Sequence, residues 1–222
     1  MPAKKKKSAP KKKKPAAKKK AATKKKVSSK KTKVDAKKEL AKAEKQLMKL
    51  REKLGKLRRQ ATTHKVNDYT LKDPNGNPVK LSSLFGDKDD LIIIHNMGKS
   101  CVYCTLWADG FIGFTKHLEN RAGFALVSFD RPSVLREFAS GRGWNYTYLS
   151  NDGGLFAEDM GMTDKKGKPW PGVSTFHRAK DGSITRVSHA YFGPGDDFCS
   201  IWHMFDMLKD GQKGWGPKYE YK

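Results

Sequence analysis

Leu91-Ile92-Ile93-Ile94-His95, followed by Ser100-Cys101-Val102-Tyr103-Cys104-Thr105-Leu106-Trp107, is the stretch that decides the fold. A short apolar run suited to a buried strand leads into a Cys-x-x-Cys pair and then into a helix-compatible segment. Two intervening residues bring both sulfurs within bonding reach across one helical turn. The first cysteine then sits where free backbone N–H groups and the helix dipole favour an anion, which stabilises its thiolate. This reading makes Cys101 the attacking thiolate and Cys104 the buried resolving thiol, and the disulfide between them the only redox group needed. Two inert structural thiols are the competing reading. Lys99 adds modest electrostatic support, and no histidine stands between the cysteines, so a strongly oxidising couple is not implied.

Outward from this stretch the elements follow in order. Tyr69-Thr70-Leu71 and Pro78-Val79-Lys80-Leu81 flank Asp73-Pro74-Asn75-Gly76-Asn77, a turn cluster that predicts a hairpin. Cys101 to about Leu118 reads as one helix with Trp107, Phe111 and Phe114 on its apolar side. Phe124–Phe129 reads as a strand, Pro132 opens a helix to about Ser140, and Asn145–Leu149 is a short strand. Residues 150–171 read as loop. Val173–Phe176 turns through Ala179-Lys180-Asp181-Gly182 into Ile184–Tyr191. Residues 196–209 close the chain as a helix with Phe198, Ile201, Trp202 and Phe205 inward. Alternating strands and helices, then a hairpin and a last helix, predict an α/β fold: a central mixed sheet with helices on both faces. With Cys-x-x-Cys at the first internal strand-to-helix junction, it resembles a thioredoxin-like fold.

Charge divides the chain. Residues 1–66 hold 28 of the 47 basic and 4 of the 23 acidic side chains, which is the whole net charge of +24; residues 67–222 are neutral. The expected organisation is a Lys/Ala/Pro-rich tail over 1–34, an amphipathic helix and linker over 35–66, a globular domain over 67–210 and a short C-terminal end over 211–222. The tail repeats its charge in blocks: Lys4, Lys5, Lys6 and Lys7; Lys11, Lys12, Lys13 and Lys14; Lys18, Lys19 and Lys20; Lys24, Lys25 and Lys26. It is expected to be disordered, since it has little to bury and repels itself. Its composition resembles the tails of linker histones and bacterial histone-like proteins. Lysines neutralise phosphates without reading bases, and no aromatic precedes Tyr69 to stack on single strands, so non-specific duplex DNA is the expected partner. RNA and polyphosphate rank behind it, and a merely solubilising tail is the bland alternative. Without an apolar face the tail does not predict membrane binding. No secretory leader or membrane-spanning run is read in the sequence, and three cysteines make no disulfide framework. The expected location is cytoplasmic and nucleoid-associated.

Within residues 36–60, Ala36, Ala43, Leu50 and Leu57 repeat every seven residues, as do Leu40, Leu47 and Leu54. Such a seam either dimerises as a short coiled coil or packs on the globular domain, and alanine and Gly55 weaken it as a zipper, which favours packing.

Lys37-Lys38-Glu39-Leu40 through Arg58-Arg59, Asp68-Tyr69, Leu81–Leu84, Cys101-x-x-Cys104-x-x-Trp107-Ala108-Asp109 and Gly172-Val173-Ser174-x-Phe176 together resemble a bacterial thioredoxin-like family. That family is called domain of unknown function 899 and described as predicted dithiol-disulfide oxidoreductases. The resemblance spans about Asp35 to Leu208. It implies a thioredoxin-like fold, a dithiol-disulfide activity on protein or small-molecule disulfides, and an N-terminal helix that belongs to the domain. Two departures stand out: Val102 where relatives often have proline, and a shorter loop over His95–Ser100.

Matching Gly172-Val173-Ser174-Thr175 to the thioredoxin segment that faces the active site puts Ser174 at the cis-proline position, with Pro171 three residues too early. Trp107, Ser174 and His95 are the expected substrate-groove residues, His95 as a proton carrier; core packing is the default for Trp107 and Trp170. A peroxidase motif, Pro-x-x-x-Thr-x-x-Cys, would need proline at Ile94 and threonine at Gly98. Cys199 and His203, four apart on a helix, could join Cys101 and Cys104 in a zinc set, but a small core cysteine and a satisfied histidine is the plainer reading, and no metal is expected. The alternative function is a histone-like, DNA-compacting protein whose thioredoxin-like domain is structural or binds protein.

Overall fold

The computed structural model describes the backbone from Lys20 to Lys222, and the side chains of Lys33 and of residues 35–222. The lysine blocks up to Lys19, and the side chains of Lys20 and Lys24–Lys26, lie outside the described residues. The chain forms two units, Met1–Leu54 and Gly55–Lys222.

Helix α1 (Lys20–Thr62) starts well before the expected boundary at Asp35. The residues it gains are mostly lysine and alanine, which are good helix formers. Its heptad leucines are not buried: Leu40 is 59% exposed, and Leu47, Leu50, Leu54 and Leu57 are also exposed.

The second unit is built on an eight-stranded sheet in the order β1-β8-β7-β4-β5-β6-β2-β3. β2 (Thr70–Lys72) and β3 (Pro78–Lys80) form the expected hairpin, and Asp73 closes its turn by accepting from the Asn75 and Asn77 N–H groups at 2.8 Å. β4 (Asp90–Asn96) runs parallel to β5 (Gly123–Ser128), which runs parallel to β6 (Thr147–Ser150). β7 (Gly172–Arg178) and β8 (Ile184–Tyr191) run antiparallel on the other side of β4. This mixed sheet with helices on both faces is the expected thioredoxin-like fold.

Strand alternation divides the core. Leu91 and Ile93 of β4, with Ala125 and Val127 of β5, face a cluster closed by the 3-10 turn Leu81–Phe85 and by Phe156 and Ala157 of α5 (Phe156–Asp159). Ile94, Phe124 and Leu126 face the other way. They meet Trp107 and Ala108 of α2 (Val102–Phe111), Leu135 and Ala139 of α4 (Pro132–Gly141), and Trp202 of α6 (Ser200–Asp206).

Three local expectations change. The helix after the cysteines is broken by a 3-10 turn at Ile112–Phe114 before α3 (Thr115–Arg121), so its apolar phase is lost and Phe114 is 55% exposed. Residues 150–171 contain α5 and the buried Met160 and Met162. The short strand β1 (His64–Val66) pairs with the edge of β8. There β8 slips register against β7 between Thr175 and Phe176, and the Val187 carbonyl accepts from the Thr62 and Thr63 hydroxyls at 3.1 and 3.3 Å.

At the start of β5 the backbone of the 3-10 turn comes close. A Cβ on Gly123 would lie 2.3 Å from the Leu84 carbonyl oxygen. Gly123→Ala is expected to lower stability by about 1–3 kcal/mol, read as a reduced denaturant midpoint at unchanged m value.

Candidate active site

β4 ends at Asn96, and the four residues that follow carry the chain to Cys101. The turn is held from two directions. The Asn96 side-chain oxygen accepts from the Gly98 N–H at 2.7 Å, and the Asp130 carboxylate, just past β5, accepts from the Lys99 N–H at 2.7 Å. Gly98 has φ +107°, and a Cβ there would stand 2.9 Å from Asp130 Oδ1, so glycine is required on both counts. Asp130 also accepts from Ser128 Oγ, which fixes the carboxylate.

Cys101 is the N-cap of α2, and its sulfur accepts from the Cys104 N–H at 3.1 Å. Cys101 and Cys104 are joined in a disulfide with their Cα atoms 5.2 Å apart. The outer cysteine is half-buried, and the inner one is 3% exposed. The sulfur at the N-cap is thus partly accessible, while its partner one turn further on is kept inside. The helix is tied down behind them. Arg142, just past α4, donates to both Asp109 oxygens, Trp144 Nε1 donates to Asp109 Oδ1 at 2.9 Å, and the Tyr146 hydroxyl donates to the Ala108 carbonyl at 2.8 Å.

The C-terminal end joins this site, although its sequence suggested a segment outside the domain. The Tyr219 hydroxyl donates to the Lys99 carbonyl at 2.8 Å. Trp202 stacks on Tyr103, between the two cysteines, at 6.2 Å, and Trp215 meets Trp202 at 5.9 Å.

The expected groove residues are elsewhere. Trp107 lies in the core against Phe192 and Trp202. His95 and Ser174 are 1% and 0% exposed and point, by strand alternation, into the cluster on the opposite face from α2. All three are therefore too deep to line an open groove. No peptide bond among the described residues is cis, and Ser174 stands mid-strand opposite Ile93. Trp170, at 47% exposed, packs edge-on to Tyr191. Cys199 precedes α6 with its thiol pushed up by burial, and His203 Nε2 lies 3.5 Å from Asp197. Among the described residues no group of three His, Cys, Asp or Glu is arranged to hold a metal ion.

His95 and Ser174, which the sequence singled out, form a buried polar cluster with Arg186, which it did not. Arg186, 5% exposed, donates to Ser174 Oγ at 3.0 Å and to the Met160 carbonyl at 2.9 Å. A guanidinium only donates, so the Ser174 hydroxyl oxygen accepts from Arg186, and it also lies 2.9 Å from His95 Nε2, within hydrogen-bond reach. Burial, with the Arg186 charge and His189 adding to it, pushes the His95 imidazole down to about 3. The folded chain thus refuses a proton that the unfolded chain takes up below about pH 6.5. Stability is expected to fall as pH drops from 6.5 towards 3, by about 1.4 kcal/mol per pH unit from this group. Denaturant unfolding at pH 6.5 and 5 checks it: His95→Gln should lose about 2 kcal/mol less than the parent over that interval.

The chain is similar to several solved structures. Peroxidoxin BcpB from Mycobacterium tuberculosis is 26% identical, with 59% of this chain and 84% of that one covered at a TM-score of 0.49. A hypothetical protein from Sinorhizobium meliloti 1021 is 16% identical over 72% of this chain and 88% of its own, at 0.45. The bacterioferritin comigratory protein of Xanthomonas campestris, whose structure was described for alkyl peroxide reduction, is 19% identical over 56% and 80%, at 0.44. No curated protein matches the chain. Residues 22–221 match the family described as "Bacterial protein of unknown function (DUF899)", which takes in the C-terminal end as well as most of α1, and the chain belongs to that family.

Proposed function

We propose that this chain is a thiol–disulfide oxidoreductase that works through Cys101 and Cys104. The observation that carries the reading is the disulfide at the start of α2, with the outer sulfur on the N-cap and the inner one buried. In the reduced protein the Cys104 N–H and the helix dipole favour a thiolate at Cys101. That thiolate attacks one sulfur of a substrate disulfide, forming a mixed disulfide and releasing the first substrate thiolate. Cys104 then loses its proton and attacks the Cys101 sulfur, releasing the second substrate thiolate. The substrate gains two electrons, and the protein is left as the Cys101–Cys104 disulfide. Ile94 and Gly98 stand where the peroxidase motif needs proline and threonine, so peroxide is not the substrate class favoured here.

Titration in glutathione buffers, with thiols trapped and counted by mass, tests the chemistry. A reversible two-electron transition is expected in the parent and none in Cys101→Ser, while Cys104→Ser should accumulate a mixed disulfide on Cys101. A transition that survives in Cys101→Ser, or no transition in the parent, rejects the reading.

We further propose that the polybasic N-terminal region anchors this chemistry on duplex DNA and so keeps the protein with the nucleoid. The segregation of the whole +24 charge into residues 1–66 supports this. The exposed heptad leucines of α1 are the surface through which two copies would pair. Affinity for mixed-sequence duplex should fall by roughly 10³-fold or more between 50 and 200 mM salt and vanish on deletion of residues 1–34. If instead the cysteine variants change no redox property and only this deletion has an effect, the histone-like alternative is the correct one.

A further inference from the structure

The second unit contains a cavity of about 400 Å³ that the dithiol chemistry does not use. Its size falls in the range of small-molecule sites. Its walls are apolar: Ile94 and Val173 from the sheet, Phe111 and Leu118 from the broken helix, and Phe198 ahead of α6. Its polar side chains are Arg58 and Arg59 from the last turns of α1, with Thr175, Ser188 and His189 from the sheet. The Arg58 guanidinium lies 5.7 Å over the Phe198 ring. Among the described residues no carboxylate pairs with either arginine.

Gly55 also lines the cavity. It interrupts a helix of lysine, glutamate and leucine, where glycine costs about 1 kcal/mol relative to alanine. Packing does not demand it: a Cβ there would meet only Arg59 Nη1, at an ordinary 3.7 Å. Its effect is to leave that part of the wall without a side chain.

From the apolar walls, the two cations without carboxylate partners and the bare glycine, we propose that this cavity binds a free amphipathic carboxylate. The apolar chain lies against Val173 and Phe198, and the head group is held by Arg58 and Arg59. The inference does not depend on the redox reading, because neither cysteine lines the cavity.

Calorimetric titration of the full chain with dodecanoate and with dodecanol, both below their aggregation limits, tests it. One dodecanoate per chain is expected, bound about tenfold or more tighter than the uncharged alcohol. Arg58→Gln combined with Arg59→Gln should bring the two to within about threefold. Val173→Phe fills the cavity and should abolish saturable binding of both. The lysine-rich tail attracts carboxylates in every variant, so the difference between the parent and Val173→Phe isolates the cavity. Gly55→Leu narrows the same site while favouring the helix, so its loss of binding cannot be traced to unfolding. Dodecanoate binding unchanged in Val173→Phe and Gly55→Leu, equal binding of acid and alcohol by the parent, or no saturable site would each overturn the proposal.

Discussion

Strand β4 is the constraint on which the rest depends. It is paired on both edges, in parallel with β5 and antiparallel with β7, and it is packed on both faces. A strand with no free edge and no wet face has its register fixed twice over, since a slip by one residue would exchange two cores. The turn it leads into inherits that rigidity. Asn96 holds Gly98 from the strand's own end, and Asp130 holds Lys99 from the end of the neighbouring strand, so the cysteine that follows has little freedom in where it can go.

The two faces serve different ends. On one, α2 lies over Ile94 and carries the disulfide, braced by Asp109 against Arg142 and Trp144. On the other, the same strand sends His95 into a cluster where a buried guanidinium has a hydroxyl and a carbonyl for partners. Burying a charge without an opposite charge is costly, and hydrogen bonds offset only part of the cost. His95 Nδ1 and Arg186 Nε have no hydrogen-bond partner, so this cluster is polar but incompletely satisfied. It sits one residue from the end of β4, a place where an apolar pair would pack at lower cost.

The sequence made the frame legible wherever a local signal was strong. Ile184–Tyr191 is a strand with the expected bounds, Pro132 opens α4, and the Asp73–Asn77 cluster turns a hairpin. Weak signals failed for physical reasons. His64-Lys65-Val66 has neither length nor alternation, and is a strand because β8 offers it an edge. Phe156–Asp159 is a single turn of helix, too short to show a period. At the site, the spacing of Cys101 and Cys104 was sufficient to foresee their pairing. The partners of His95 were not legible: Ser174 and Arg186 reach it through strand pairing across long stretches of chain. The same holds for Asp130 and for Tyr219, which act on the cysteine turn from distant segments. The family match over 22–221 agrees with the packing of the C-terminal end, which had been expected to lie beyond a domain ending at residue 210.

The antiparallel partner of β4 arrives late. His95 and Ser174 are separated by 79 positions in sequence, so on the ribosome the apolar run Leu91–Ile94 is made long before β7 can cover its second edge. At about 5–20 residues per second this interval lasts roughly 4–16 s. During it the nascent chain displays an unpaired strand edge, the kind of surface that recruits other chains. The cysteines next to it are also accessible before their helix is braced, since Arg142 and Trp144 come later than Asp109. The central position that makes β4 rigid in the finished protein therefore makes it the segment most in need of protection while the protein is being made.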